Sequence, residues 1–390
     1  MKAKFASPWL MVLPFFFIIA EYNRDNIENE LKARIDPETK TIVCPENPLF
    51  GTLILKLSSP LIIGSETDDR YFFASLRQIK IDKKQRIYAL DTTAARIQVY
   101  DMNGQYIKTI GGRGQGPGEF MRPFNLFLDD KENIYVLDAA ARKISSFSDN
   151  WEYRDSISLM EISILNFCVD GKGNIFLNSL ASEPDGNMHV DFIKLEPKEN
   201  IKKTVMSDFF LKMIIDGQNR IFYDHPYQQN YYFSLLNSGK IVLVKALEPS
   251  LYYLSDEGKI LLKVIRQESP GRISTGEKEA VLEKSFKWLK RERWKEVYFP
   301  EHRPIYSNLL IDDTDRIYLE KFNPINKQNY GYSYDIFNKT GGYLYKLDSD
   351  FRIASIGYGY IYTIQTNEES GEIKLVRHKI ENWEQIKEGI

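Results

Sequence analysis

Histidine and cysteine are scarce in this chain. Four histidines (His189, His225, His302 and His378) and two cysteines (Cys44 and Cys168) occur in 390 residues. No pair of them stands at the spacing of a zinc site or a thioredoxin-type dithiol, so no metal centre or redox couple can be assigned from spacing. Net charge is nearly absent as well, at −2. Without a basic excess no field draws the chain to nucleic acid, and no nucleic-acid partner is expected. Gly-x-Ser-x-Gly is missing, which removes the serine-hydrolase elbow. Cys168 lies in an apolar strand pattern and reads as core. It could pair with Cys44 only if the fold brought their Cα atoms within about 7 Å.

Aromatic residues are abundant, with 24 Tyr and 23 Phe. Together with Ile and Val they favour pleated strands, so the composition leans towards an all-β fold. The N-terminus differs from the rest. Lys2 and Lys4 precede an apolar run from Trp9 to Ala20. A short basic stretch before an apolar run is the layout of an export signal. The run falls short of the roughly 20 residues of a comfortable membrane span. Ile18 stands where a cleavage site favours a small residue, so residues 1–20 read either as a signal peptide or as an uncleaved membrane anchor. Residues 21–46 are polar, contain Pro37 and Pro45, and read as a linker. The globular part is expected over 47–390. The protein is thus expected to be exported: periplasmic, secreted or membrane-anchored.

The strongest signal is repetition. An apolar residue and Asp are followed, four residues after the Asp, by Asn or Arg, then Ile and an aromatic. The copies are Asp82 with Arg86-Ile87-Tyr88, Asp129 with Asn133-Ile134-Tyr135, Asp170 with Asn174-Ile175-Phe176, Asp216 with Arg220-Ile221-Phe222, and Asp312 with Arg316-Ile317-Tyr318. Degraded copies surround Ile241 and Ile361. Each copy reads as strand, Asp-stabilised turn, strand: a hairpin. A third strand follows, with Ile87 to Tyr100, Ile134 to Phe147 and Ile241 to Leu254 all 13 residues apart. Four strands per unit of about 40 residues is the signature of a propeller blade. The Asp216 copy stands too close to the next one to be a blade and reads as an added hairpin. Six blades then begin near 79, 126, 167, 233, 309 and 351, with seven as the lesser alternative. Leu53–Ile63 is expected to complete the last blade.

Between Arg96 and Ile134 the chain resembles the NHL-repeat propellers. The run from Ile110 to Phe120, with Gly111-Gly112, Pro117-Gly118-Glu119-Phe120 and then Pro123 and Asp129, looks like their junction between blades. The whole chain resembles bacterial, exported six-bladed propellers. That resemblance implies the fold strongly and the function weakly, because such propellers include both binding modules and enzymes. The Gly-rich run lacks the Gly-Lys-Ser/Thr ending of a phosphate loop and is read as the junction.

One segment breaks the repeat. Ser274–Val297 is predicted to be a helical insertion opened by a capping box of Ser274 and Glu277. Val281, Leu282, Phe286, Leu289 and Val297 share one face. Trp288 and Trp294 could anchor a partner, but covering the propeller's own surface is the favoured reading. The ring is expected to fold without this insertion.

The acidic pairs Asp129-Asp130 and Asp312-Asp313 invite a calcium or acid–base reading. Turn chemistry accounts for every copy of the repeated Asp, and catalysis would account for one. No catalytic or cofactor-binding residue is assigned, no metal ligand can be named, and no cofactor is predicted beyond the option of a divalent metal in the channel. The leading expectation is a monomeric binding or scaffold module outside the cytoplasm, for a protein, peptide or glycan ligand and with an optional membrane tether through residues 1–20. Catalysis is less favoured than binding. The alternative is a metal-dependent lyase or lactone hydrolase with its site in the central channel.

Overall fold

In a computed structural model, residues 40–388 are described except 160–162, 183–186, 198–200, 217–218, 222–224 and 325–330. The signal or anchor at 1–20, and the linker as far as residue 39, lie outside the described residues.

The repeated Asp builds each hairpin as the pattern requires. Asp82 Oδ1 accepts the backbone N–H of Arg86 at 2.8 Å, and its Oδ2 accepts from Arg86 Nε at 2.5 Å and Tyr88 Oη at 3.1 Å. Asp312 repeats this with Arg316 and Tyr318. Asp129 and Asp170 use Asn133 and Asn174 in place of arginine. The turn residue, the Arg or Asn four places on and the aromatic six places on are thus one hydrogen-bonded cluster. That is why they recur together.

Six sheets result. Blade one holds Leu76–Ile81, Ile87–Asp91, Arg96–Tyr100 and Tyr106–Gly111. Blade two runs from Pro123 to Ser158, blade three from Ser163 to Lys212, and blade four from Tyr231 to Arg266. Blade five runs from Tyr306 to Ser349, and blade six from Ser355 to Lys379. The 13-residue spacings are cross-strand partners: Ile87 faces Tyr100, Ile134 faces Phe147, and Ile241 faces Leu254. The first strands of successive blades touch in a closed circle and surround the channel. The Gly-rich run joins blade one to blade two. Gly111 there has φ +80°, and a Cβ on it would meet the ring of buried Phe120 at 2.2 Å. The Asp216 hairpin pairs Ile214–Asp216 with Asn219–Ile221 outside every blade.

Two expectations about the segment before the first blade need correction. Thr41–Cys44 is a strand rather than linker, and it adds in parallel to Ile260–Arg266 at the outer edge of blade four. Of the segment Leu53–Ile63, only Leu61–Ile63 completes the last blade, while Thr52–Leu53 pairs with blade five. The residues from 41 to 63 therefore belt three successive blades. Strand addition depends on a partner's open edge, which local sequence does not display.

The insertion also differs from a single helix over 274–297. The helix is Thr275–Ser285, and a 3₁₀ turn follows at Arg291–Glu296. The capping box is present: Ser274 Oγ accepts from Glu277 N at 3.3 Å, and Glu277 Oε2 accepts from Ser274 N at 2.9 Å. Leu289 and Val297 reach the core through a reversed chain rather than a continued helix, so tertiary packing overrides their helical spacing. Val281, Leu282, Phe286, Leu289 and Val297 bury themselves with Phe192, Phe233 and Leu243. The insertion is thus part of the core of blades three and four, contrary to the expectation that it is dispensable. Trp294 packs partly buried against that cluster and Trp288 stays exposed.

Candidate functional site

The first strand of each blade can be numbered back from its turn Asp. Two places before the Asp stand Lys80, Phe127, Cys168 and Leu310 in blades one, two, three and five. Ser234 takes that place in blade four, where Leu236 fills the Asp slot, and Ser355 takes it in blade six by alignment of the strand pairs. Four places before the Asp stand Gln78, Asn125, Asn166 and Asn308. All four carboxamides line one cavity of about 560 Å³ at one end of the channel. A second cavity, about 430 Å³, lies at the turn end. Lys80, Phe127 and Ser234 line both, so their level is the waist of the channel.

Backbone geometry sets the carboxamides. In these four blades the pairing of the first two strands slips immediately before the carboxamide: between Leu76 and Gln78, Pro123 and Asn125, Ile164 and Asn166, and Tyr306 and Asn308. A β-bulge re-aims the side chain that follows it. Blade four has no such slip in this pair and carries Tyr232 there instead.

Part of the hydrogen-bonding capacity is used between blades. Gln78 Oε1 accepts from Leu126 N at 2.6 Å, and Asn125 Nδ2 donates to Asn166 Oδ1 at 2.5 Å. Asn166 Oδ1 also accepts from Phe167 N. Asn178, only 1% exposed, lines the same cavity and donates to Asn230 Oδ1 at 3.0 Å. Its own Oδ1 has no partner among the described residues. A carboxamide offers two donors and an acceptor. The cavity therefore presents the spare amide hydrogens of Gln78 and Asn166 beside the spare oxygen of Asn125. That mixture suits groups that both give and take hydrogen bonds, such as hydroxyls and amides.

Most carboxylates at the acidic end are engaged in bonds within the protein. Beyond the turn Asp residues, Glu132 Oε1 accepts from Lys83 N, Asp315 Oδ1 from Asn237 N, and Asp313 Oδ1 from Tyr358 N. Each bond ties one blade to its neighbour. Burial raises the pKa of Asp313 and Asp315. Asp129, Asp312 and Asp313 are thus structural in what they touch, while the Asp130 side chain is exposed. Among the described residues, no group of three His, Cys, Asp or Glu side chains is placed to hold a metal.

The histidines do not converge either. His225 is buried. Its Nε2–H donates to the Tyr298 carbonyl at 2.7 Å, Nδ1 accepts from Tyr227 N at 3.2 Å, and the ring stacks on Phe299. Burial lowers its pKa to about 4. His378 Nδ1 lies 3.1 Å from the Ser58 carbonyl oxygen on the outer belt. Cys44 and Cys168 are both buried and free. Burial pushes the Cys44 thiol up to about 11 and that of Cys168 higher still, so neither is a nucleophile at neutral pH.

A family described as a 6-bladed beta-propeller, DUF5128, matches residues 60–344. The chain belongs to this family. No curated protein matches it. A crystal structure from Bacteroides fragilis, provisionally named an exported protein, is similar with TM-score 0.51 and 14% identity, covering 88% of this chain and all of that one. A DUF4221 family member from Bacteroides vulgatus is similar with TM-score 0.51 and 14% identity, covering 84% of this chain and 97% of that one. At a TM-score of 0.41 and 8% identity, the virginiamycin B lyase of Staphylococcus aureus covers 82% of this chain and 98% of its own. The two Bacteroides likenesses show the propeller fold. No helix among the described residues is long and apolar enough to cross a membrane.

Within this DUF5128 propeller, sequence reasoning missed the carboxamides. The signal was present: Gln or Asn stands four places before the Asp in four of the five Asp copies. The exception is the Asp216 hairpin, which is not a blade. Asp91 and Asp138 were missed too. Both are fully buried and accept several loop N–H groups, including Ala74, Ser75, Met121 and Arg122.

Proposed function

We propose that this propeller is an exported binding module that takes a polar ligand at the carboxamide-lined end of its channel. The ligand is a glycan, a peptide or a short segment of a protein. One observation carries the reading: four blades present an amide side chain at the same level, each re-aimed by a bulge. Turn chemistry explains the Asp and leaves these amides unexplained. A largely preformed pocket with a few convergent polar groups is the usual form of a small-ligand site. Export is supported by the basic and apolar layout of residues 1–20 and by the name of the Bacteroides fragilis structure.

The alternative is a metal-dependent lyase or lactone hydrolase. It finds less support in the donor set of the channel. Carboxamides bind divalent cations weakly compared with carboxylate or imidazole, and an ammonium at the waist opposes a cation.

The test pairs Asn125→Ala with Asn166→Ala in one variant. A panel of oligosaccharides and peptides is screened by thermal shift against the native protein and the variant. A ligand that stabilises the native protein should bind the variant at least about tenfold more weakly, because charge-free hydrogen bonds are each worth about 1 kcal/mol. Equal binding to both would place the site elsewhere.

A further inference from the structure

Lys80 stands at a level where the repeat has no need of a charge. Its counterparts Phe127, Cys168 and Leu310 are apolar, and Ser234 and Ser355 are small. The side chain is half-buried on the first strand of blade one and borders both channel cavities. Among the described residues no carboxylate pairs with it, and it makes no hydrogen bond. The ionisable side chain that acts on it is the Cys168 thiol, which stays protonated. Burial lowers the pKa of the ammonium. An unpaired charge inside a fold is costly and is usually relieved by pairing.

The other two cations that line this cavity, Arg77 and Arg352, each have Nε engaged. Arg352 Nε bonds both oxygens of Glu320 at 3.0 Å. Arg77 Nε donates to the Phe124 carbonyl at 2.8 Å, and its guanidinium lies over the Phe124 ring. Lys80 is therefore the cation lining the carboxamide cavity whose side chain makes no hydrogen bond among the described residues. It is a point charge with three donors rather than a fork. A single ammonium balances a monoanion and leaves a phosphate dianion under-compensated.

We propose that Lys80 receives the carboxylate of a polyhydroxylated acid, a sugar acid free or at the end of an oligosaccharide, whose hydroxyls meet the carboxamides of Gln78, Asn125 and Asn166. This deepens the binding reading above and rests on it. The ligand enters acid-first from the carboxamide end, and its hydroxyls stay at the level of the bulges. Hydroxyls match carboxamides because both give and accept hydrogen bonds. The carboxylate supplies the charge-assisted bond that the waist lacks.

The full chain is titrated calorimetrically with D-glucuronate, with D-glucose as the neutral ring, with propionate as the bare carboxylate, and with inorganic phosphate. Glucuronate is expected to bind at least about tenfold more tightly than glucose or propionate, as for a hydrogen bond to a charged group. Lys80→Met should abolish that preference while leaving glucose binding unchanged, and Lys80→Arg should retain it. Lys80→Met should melt at or above the native temperature, because the same level is apolar in three other blades. If glucose and glucuronate bind the native protein equally, or if the preference survives in Lys80→Met, the assignment to Lys80 is wrong. Tighter binding of phosphate would overturn the carboxylate. If the panel screen finds ligands sensitive to Asn125 and Asn166 but glucuronate does not bind, the sugar-acid inference falls and the binding-module reading stands.

Discussion

Asp312 and Asp129 hold equivalent turns in different electrical surroundings, and that contrast can be measured. Asp312 is buried against Arg316, which is only 3% exposed and has Nε 2.7 Å from Asp312 Oδ2. Without Asp312, the guanidinium keeps the Ile386 carbonyl at 3.3 Å and the face of Trp383. Removing one partner of a buried ion pair costs about 3–5 kcal/mol, because the other charge is stranded. Asp129 makes the same backbone bonds, to Lys131 N at 2.9 Å and Asn133 N at 2.8 Å. Its side-chain partner is the neutral Asn133, so Asp129→Ala loses turn bonds alone, about 1–2 kcal/mol. Asp312→Ala should therefore destabilise by about 2 kcal/mol more than Asp129→Ala, roughly a thirtyfold difference in the unfolding equilibrium. Urea unfolding followed by tryptophan fluorescence reads this as a lower midpoint for Asp312→Ala at unchanged slope. Equal losses would refute the reasoning, since the turn alone would then account for both and the buried charge would count for nothing.

Two further outcomes follow from burial. His225 is held neutral with a pKa near 4 against an ordinary 6.5, so the unfolded chain binds the extra proton between those values. Stability should be full above pH 6.5 and fall as pH drops towards 4, by on the order of 3 kcal/mol if the whole shift is realised. Urea midpoints across that range should show the slope, and His225→Gln should flatten it. Deleting 274–297 behind a short linker should yield insoluble protein. The five buried side chains of the insertion contribute roughly 1.5–3 kcal/mol each, together comparable with a domain's whole stability. A soluble, folded deletion variant would show that blades three and four close over the gap.

The architecture was largely legible because one local device, the Asp turn with its Arg or Asn and its aromatic, is written into the chain several times. Cross-strand partners such as Ile87 with Tyr100 followed from constant spacing. What escaped has physical reasons. Bulges are a matter of pairing between strands, so the aim of Asn125 or Asn308 is invisible in a single strand. Thr41–Cys44 lies among polar and proline residues, and only the open edge of blade four makes it a strand. The helix of the insertion stops at Ser285 although its apolar spacing runs on to Val297, because the chain there turns back towards the core. Nothing in the local sequence marks Lys80, since its isolation depends on Phe127 and Ser234 from other blades.

The belt from residue 41 to 63 is made early and used late. Leu61–Ile63 leaves the ribosome long before Ile373–Lys379, the strand it must join. Until then the outer edge of blade six does not exist. Contacts between such distant parts of a chain are slow to form. A nascent chain therefore cannot lock into a ring while its last blade is missing. An open chain can still be threaded through a pore, and a closed ring cannot.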